Sequence, residues 1–172
     1  VCSGKAKAKA YAIQCVSNQK QLGIAWVMYS GDNQERLAPN APNFLQPGSA
    51  TWLAGANMDW SANAMNTDVS NLIDPNKAKL ADYSGKQVGI YKCPADKFQS
   101  AAGPRVRTIS MNFAMDGERP AGAWPGGTYY VARKTSDLVR PGPSQTWLFL
   151  DEHPDSMNDA AFYMAQRSGQ PY

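Results

Sequence analysis

The first residues of the chain contain the pattern that most restricts its fold. Apolar residues recur there at spacings of three, four and seven, at Ala8, Ala12, Cys15, Leu22, Trp26 and Tyr29. These spacings place the side chains on one face of an α-helix. Ala, Lys and Gln favour helix and dominate the first half of the segment, and Gly31 is typical of a helix C-terminus. The sequence therefore predicts one long helix over residues 5–31.

The rest of the chain, residues 32–172, consists of short apolar runs separated by turn-forming residues. The 172 residues include 12 Pro and 14 Gly and fit the size of a single domain, which we expect to span 1–172. Strands are predicted at 88–93, 105–111 and 145–150, the last of them buried on both faces, and a short helix over 74–83. The order predicts an α+β domain, with the long helix packed on a small antiparallel sheet that has long loops.

Charge and composition exclude several classes of function. The net charge is +3, and the basic residues are scattered after the first ten positions, so we expect no nucleic-acid partner. No run approaches the roughly 18 apolar residues that a membrane span requires. His153 is the single histidine and no Cys-x-x-Cys pair is present, so a zinc site would lack most of its usual ligands.

The three cysteines, Cys2, Cys15 and Cys93, allow two interpretations. They are either one disulfide and one leftover thiol in an exported protein, or three small buried hydrophobic residues. Under the first interpretation Cys15–Cys93 is the favoured pair, because it would tie the long helix to the body of the domain.

A dense acidic segment follows the last predicted strand and is the candidate metal site. Its oxygen ligands could bind calcium, which takes six to eight such ligands in a flexible loop. The alternative is a set of exposed capping residues, in which Asp155 or Ser156 caps a helix over 157–166. The possible calcium ligands are Asp151, Glu152, Asp155, Asn158 and Asp159.

An enzymatic interpretation would have to use the same segment. Asp151 with Glu152 or Asp155 could act as an acid and base pair in glycoside hydrolysis, but neighbouring residues on a strand point to opposite faces. A Cys93–His153 dyad competes with the favoured disulfide. The sequence has no Gly-x-Ser-x-Gly elbow and no phosphate-binding glycine loop. We therefore predict a protein that is not an enzyme.

Several aromatic residues lie in sequence that is typical of loops or strand edges. Exposed rings of this kind can stack on sugars or anchor a partner protein, whereas buried ones fill the core of a loop-rich domain. The residues of this possible aromatic surface are Trp52, Trp60, Trp124, Tyr129 and Tyr130.

A series of short motifs, kept in order along the chain, is similar to a bacterial family. The motifs are Cys15-Val-Ser-Asn18-Gln-Lys20-Gln21-Leu22-Gly23, then Tyr29 and Asp32-Asn33, Cys93-Pro94-Ala95-Asp96, Ser110-Met111-Asn112 and the segment Phe149–Ser156. Together they resemble the type IV pilin-like proteins, and within them the prepilin-type, type II secretion pseudopilin-like group. The prepilin cleavage site and the apolar membrane helix of that family do not occur in the chain.

The resemblance implies a structural subunit of a secretion pseudopilus or surface filament, exported to the periplasm, cell envelope or exterior. Its partners would be other pilin-like subunits or secretion-system proteins, and only the missing N-terminal helix would meet the membrane. We expect a soluble core trimmed at one or both ends. The helix face that carries Lys9, Gln14 and Gln21 would meet neighbours or solvent. The alternative is a secreted glycan- or protein-binding module that keeps the fold and does not polymerise.

Overall fold

The computed structural model describes residues 3–40, 50–54, 58–116, 131–139 and 142–162. Within these ranges, a long helix is followed by short strands, turns and loops. The helix packs against small and mostly antiparallel sheets, so the predicted α+β class is confirmed.

Helix α1 (Ser3–Asp32) confirms the predicted long helix. Its end differs from the expectation, because Gly31 lies inside the helix. The side-chain amide of Asn33 donates to the carbonyl oxygen of Tyr29 at 2.7 Å. The next two residues, Gln34 and Glu35, adopt left-handed φ angles of 56° and 64°. Side-chain capping and a left-handed turn therefore end the helix without a glycine.

In the described part of the chain, five short strands form two sheets. β1 (Gln99–Ser100) pairs with β2 (Gly103–Pro104) as an antiparallel two-stranded ribbon. β3 (Ile109–Asn112) is the centre of a three-stranded sheet, with β4 (Phe149–Asp151) antiparallel on one side and β5 (Ala161–Phe162) parallel on the other. All four residues of β3 are buried, as expected for a central strand that is covered on both faces.

The register of β3 is fixed on both sides. Ser110 pairs with Leu150, and Asn112 pairs with Phe162. The side-chain amide of buried Asn40 donates to the carbonyl oxygen of Asn112 at 2.8 Å, so the segment after α1 is tied to this strand. The strand predicted at 105–111 is thus confirmed only over 109–111; residues 105–108 are not strand.

The strand predicted at 88–93 is wrong. The segment forms a 3-10 turn at Val88–Tyr91, which lies across α1. The side-chain amide of Asn18 binds the carbonyl oxygens of Gly89 and Lys92, and a sheet ladder would need those oxygens.

The helix predicted over 74–83 is also wrong. A short helix, α2 (Ser70–Ile73), ends where the prediction begins, and turns follow it. The Asp74 carboxylate accepts a hydrogen bond from the backbone N–H of Asn76 at 2.9 Å. This local turn takes the place of a helical start.

The strand predicted at 145–150 is shorter than expected. A 3-10 turn at Pro143–Gln145 occupies its beginning, and β4 starts at Phe149. Trp147 is 63% exposed, so the run is not buried on both faces. Only the residues that pair with β3 become a strand.

The helix considered at 157–166 is replaced, over its described residues, by loop and β5. The backbone N–H of Phe113 donates to the carbonyl oxygen of Phe162 at 2.9 Å, and that of Met111 donates to Ala160 at 3.0 Å. Pairing with β3 therefore dictates the local structure, whatever the capping residues favour.

The hydrophobic core lies between α1, the 3-10 turn at Val88–Tyr91 and the three-stranded sheet. Its largest fully buried ring is Trp52, whose centroid is 5.2 Å from that of Phe149 and 6.2 Å from that of Tyr91. Residues from α1 that join this core are Leu22, Trp26 and Tyr29.

A disulfide and a pair of side-chain hydrogen bonds fasten α1 to this core, and we call them together the helix junction. Cys15 and Cys93 form a disulfide with Cα atoms 5.0 Å apart, which confirms the favoured pairing. Nearly one helical turn later, buried Asn18 donates to the carbonyl oxygens of Gly89 at 3.1 Å and Lys92 at 3.0 Å. The Cys-x-x-Asn spacing therefore places both groups on the buried face of α1.

Candidate functional site

Helix α1 has two apolar faces on opposite sides, and only one of them packs on the rest of the described chain. Leu22 and Trp26 are buried. Successive residues of an α-helix are rotated by about 100°, so a second apolar set lies about half a turn away. We call this second set the outer stripe; its exposed residues are Ile13, Val16, Ile24, Val27 and Met28.

The sequence-based interpretation described this side of the helix by Lys9, Gln14 and Gln21. All three are exposed in the structure. The interpretation nevertheless missed that large apolar residues dominate this side. The signal was present as a second set of helical spacings, but two opposed stripes are less conspicuous than one stripe facing a polar side.

The outer stripe begins at the helix junction, and the first turns of α1 extend beyond it. Residues 4–10 are exposed, and the buried positions of α1 run from Asn18 to Ser30. Ile13 is 71% exposed and Val16 is 69% exposed. Aliphatic side chains this exposed along one side of a helix are typical of a surface that docks another molecule.

A groove of about 500 Å³ lies beside the outer stripe, between α1 and a second wall that includes Leu138, Pro143, Thr146 and Leu148. Its lining is almost wholly apolar and includes Lys20, Gly23, Val27, Leu138, Thr146 and Leu148. A Cβ atom added to Gly23 would meet nothing within 4 Å. The volume lies in the usual range for a binding pocket, about 300–1,000 Å³.

The aromatic surface predicted from the sequence is divided by the structure. Trp52 is fully buried and its indole N–H donates to the carbonyl oxygen of Ala160 at 3.1 Å, so its assignment to a surface is wrong. It is buried because the loop that carries it folds over β3 and β4. Trp124, Tyr129 and Tyr130 lie outside the described residues.

Trp60 is the predicted aromatic residue that reaches the surface. Its ring meets the ring of Phe98 edge to face at 6.1 Å, and the two side chains are 43% and 53% exposed. The guanidinium of buried Arg105 lies 4.5 Å from the centroid of the Trp60 ring. This cation–π contact fixes the orientation of the ring.

Two fully buried arginines hold the acidic segment on the protein. Arg105 donates to the carbonyl oxygen of Pro154 at 3.0 Å. Arg107 donates to the carbonyl oxygens of Asn158 at 3.4 Å and Asp159 at 2.5 Å. We call this contact between the two arginines and residues 152–159 the arginine junction. Sequence reasoning missed both arginines, because their charge predicts an exposed position.

The arginine junction leaves several polar atoms without hydrogen bonds. Arg105 Nε and Nη2, Arg107 Nε and Glu152 Oε1 are buried without a partner. Burial lowers the pKa of Arg107 to about 10, and burial also raises the pKa of Glu152. The Arg107 guanidinium opposes the shift at Glu152 by favouring its charged form.

The five possible calcium ligands do not converge. Asp151 accepts a hydrogen bond from Thr108, and Asp159 accepts one from the backbone N–H of Ala161 at 3.1 Å. Asp155 is exposed and lies 3.6 Å from His153 Nδ1. Among the described residues, which include all five, no three His, Cys, Asp or Glu side chains form a group that could hold a metal ion. Calcium binding therefore stays a prediction without a converged set of carboxylates.

The disulfide affects both the candidate Cys93–His153 dyad and the expected cellular compartment. Because Cys93 is bonded to Cys15, the Cys93–His153 dyad has no free thiol. A structural disulfide is typical of an oxidising compartment. In the part of the chain that the structure covers, no helix combines the length and the apolar character that a membrane crossing requires.

No family model, curated protein or solved structure matches this chain. Its function therefore has to be inferred from its own residues and their arrangement.

Proposed function

We propose that this chain is a pilin-like structural subunit of a secretion pseudopilus or surface filament in the periplasm or cell envelope of a bacterium. The observation that carries the proposal is the outer stripe of α1, whose large apolar side chains are exposed from Ile13 to Met28 on the side of the helix opposite the helix junction. A helix with apolar residues on both sides has one face for its own domain and one face for a neighbour.

Two further observations support an assembling subunit. The α+β fold packs one half of α1 on a small sheet and leaves the first turns uncovered. The helix junction fixes the helix by a disulfide, so a load on the projecting end passes into the domain through a covalent bond. Export to an oxidising compartment is consistent with that bond. Neighbouring subunits of the same kind would then cover the outer stripe.

Photo-crosslinking in the producing cell tests this proposal. A photoreactive residue at Ile13 or Val16 is expected to yield adducts at whole multiples of the subunit mass. The same residue at Gln14, which is exposed and lies beside the outer stripe rather than in it, is the matched control. Adducts with an unrelated protein alone, or none at either stripe position, would argue against a filament subunit.

The second candidate is a secreted glycan-binding module, and the Trp60–Phe98 pair favours it. Two exposed rings at a fixed angle, with one held by Arg105, form a platform on which a sugar ring can stack. Retention on insoluble chitin, cellulose and peptidoglycan tests this function. The Trp60→Ala variant is expected to lose retention while Trp147→Ala keeps it, and equal behaviour of the two variants would reject the platform.

A further inference from the structure

A row of cationic and aromatic side chains crosses the surface where the first turns of α1 meet the body. The ammonium of Lys7 lies 5.7 Å from the centroid of the Tyr11 ring, and the ammonium of Lys97 lies 5.2 Å from the same centroid. Phe98 follows Lys97 in the chain, and its ring meets that of Trp60 at 6.1 Å. We call these five residues the cation–aromatic row, which joins α1 to the Trp60–Phe98 pair.

The helix junction holds the two halves of the cation–aromatic row together. Tyr11 lies one helical turn before Cys15, on the same face of α1. Cys15 is bonded to Cys93, and the turn that follows Cys93 carries Lys97. Within that turn the Lys97 ammonium donates to the carbonyl oxygen of Pro94 at 2.7 Å. The row is thus ordered before any ligand binds, which lowers the entropic cost of binding.

The α1 end of the row is positively charged. Among the described residues, no carboxylate lies within ion-pair distance of Lys7 or Lys97, and both lysines are exposed. Positive charge also accumulates behind Lys97. Burial lowers the pKa of Lys92, the charge of Asp96 opposes this shift, and the charges of Arg105 and Lys97 add to it. A surface with such an excess of positive charge attracts an anionic ligand.

The other end of the row presents an aromatic face. The guanidinium of buried Arg105 lies over the Trp60 ring, and the rings of Trp60 and Phe98 are inclined at 74°. Two rings at this angle do not form the parallel platform on which successive nucleobases stack. The free face of Trp60 suits one sugar ring instead. The neighbouring carboxylate of Asp59 is engaged within its own loop, where it accepts a hydrogen bond from the backbone N–H of Ser61 at 2.9 Å.

We propose that the cation–aromatic row binds an anionic polysaccharide, with a sugar ring stacked on Trp60 and sugar carboxylates paired with Lys7 and Lys97. The inference rests on the glycan-binding function, the second candidate above, and names the class of glycan. Lysine ammonium groups bind carboxylates through charge-assisted hydrogen bonds. The disulfide is typical of an oxidising compartment, which favours a polysaccharide of the cell envelope or exterior over a nucleic acid. The row shares the face of Cys15, so neighbours that cover the outer stripe would leave it accessible.

Calorimetric titration with two forms of one polymer tests the proposal. Polygalacturonate carries a carboxylate on each sugar, and its fully methyl-esterified form has the same backbone without the charge. The unaltered chain is expected to bind polygalacturonate about tenfold more tightly than the ester. Trp60→Ala should weaken binding of both forms. Lys7→Gln and Lys97→Gln should each weaken binding of polygalacturonate about threefold and leave binding of the ester unchanged.

Lys20→Gln is the matched control for the two lysine variants. It removes the same charge from an exposed position of the same helix, about 20 Å from Lys7 along the helix axis. That separation exceeds the screening length of about 8 Å at physiological ionic strength, so the variant is expected to bind polygalacturonate like the unaltered chain. Circular dichroism verifies that all variants are folded.

Three results would overturn the proposal. The first is equal affinity for polygalacturonate and its ester, and the second is an equal effect of Lys20→Gln and the two row variants. The third is tighter binding of oligothymidylate without dependence on Trp60, which would indicate a surface for polyanions in general. If polygalacturonate does not bind while Trp60-dependent retention on chitin, cellulose or peptidoglycan persists, the class of glycan is wrong and the glycan-binding module stands.

Discussion

The helix junction and the arginine junction fasten the same small fold by opposite means. At the helix junction a disulfide, apolar packing and the Asn18 amide meet partners that satisfy them. At the arginine junction two buried guanidinium groups bind backbone carbonyls and still leave Nε atoms, and Glu152 Oε1, without a hydrogen bond. The first junction is insensitive to ionisation, whereas the second depends on which of its groups are charged.

The difference assigns separate roles to the two regions. A covalent and apolar attachment keeps the long helix in place when its free end is pulled. Buried charges with incomplete hydrogen bonding cost free energy, and they hold a segment in one geometry only as long as their partners remain. We therefore expect substitutions at the two junctions to differ in the reason for their effects as well as in size.

Removal of the disulfide is expected to have the largest effect. The bond joins residues separated by 78 positions. Closing a loop of that length lowers the conformational entropy of the unfolded chain, which stabilises the folded state by about 4 kcal/mol. The double variant Cys15→Ser/Cys93→Ser should lose about that much free energy of unfolding in urea. A reducing agent should weaken the unaltered chain to the same degree and leave the double variant unchanged. A loss below about 1 kcal/mol would show that packing and Asn18 suffice to hold α1.

Arg107→Met is expected to be second and to act through the charge that it leaves behind. Loss of one member of a buried charge cluster costs about 3 kcal/mol, because the remaining charge is uncompensated. Urea unfolding measures the loss, and exposed Arg133→Met is the control, with a change within about 0.5 kcal/mol. Adding Glu152→Gln should recover part of the loss. If the second substitution lowers the free energy of unfolding further, the uncompensated Glu152 charge is not the cause of the loss in Arg107→Met.

The helix junction could be predicted from the sequence, whereas the arginine junction could not. Cys15 and Leu22 belong to one helical period, and pairing Cys15 with Cys93 needed two assumptions, an exported domain and a bond that ties the helix to the body. The contacts of Asn18 were not predicted. Arg105 and Arg107 belong to a strand-like run in which a charged residue predicts the exposed side. Their burial depends on carbonyl oxygens of residues 154–159, which tertiary folding brings close. Local periodicity contains no signal for such a contact.

The outer stripe and the groove, which together form the candidate docking surface, also include a part that could be predicted and a part that could not. The long helix was predictable, and so was the exposure of Gln14 and Gln21. The groove could not be predicted, since no periodicity in the sequence places Leu138, Thr146 and Leu148 of its second wall beside α1. The exposure of Trp147 also depends on tertiary structure, because an apolar run becomes a buried strand only where it finds a partner strand.

The third prediction concerns the polar part of the helix junction. Asn18→Ala leaves the carbonyl oxygens of Gly89 and Lys92 without their donor, which costs about 2 kcal/mol for buried groups. Thermal and urea unfolding measure the loss. Gln21→Ala is the matched control, because this exposed amide binds only Ser17 on its own helix. Equal effects at the two positions would mean that Asn18 acts through helix propensity.

The smallest expected effect is a pH dependence at the arginine junction. Burial raises the pKa of Glu152 in the folded protein above its ordinary value of 4.5. The folded state therefore holds this proton more tightly than the unfolded chain. The resulting stabilisation is complete below pH 4.5 and is lost as the pH rises through the folded-state pKa.

Glu152→Gln removes that titration and isolates its sign. The variant lacks the charge that favours the ionised state of Arg107, an effect that shifts its stability by a constant amount in this pH range. The free energy of unfolding of the variant minus that of the unaltered chain should therefore rise from about pH 4 to pH 7. A difference that falls with pH would mean that Glu152 is stabilised as an anion by Arg107, and the arginine junction would then resemble an ordinary ion pair rather than a cluster strained by desolvation.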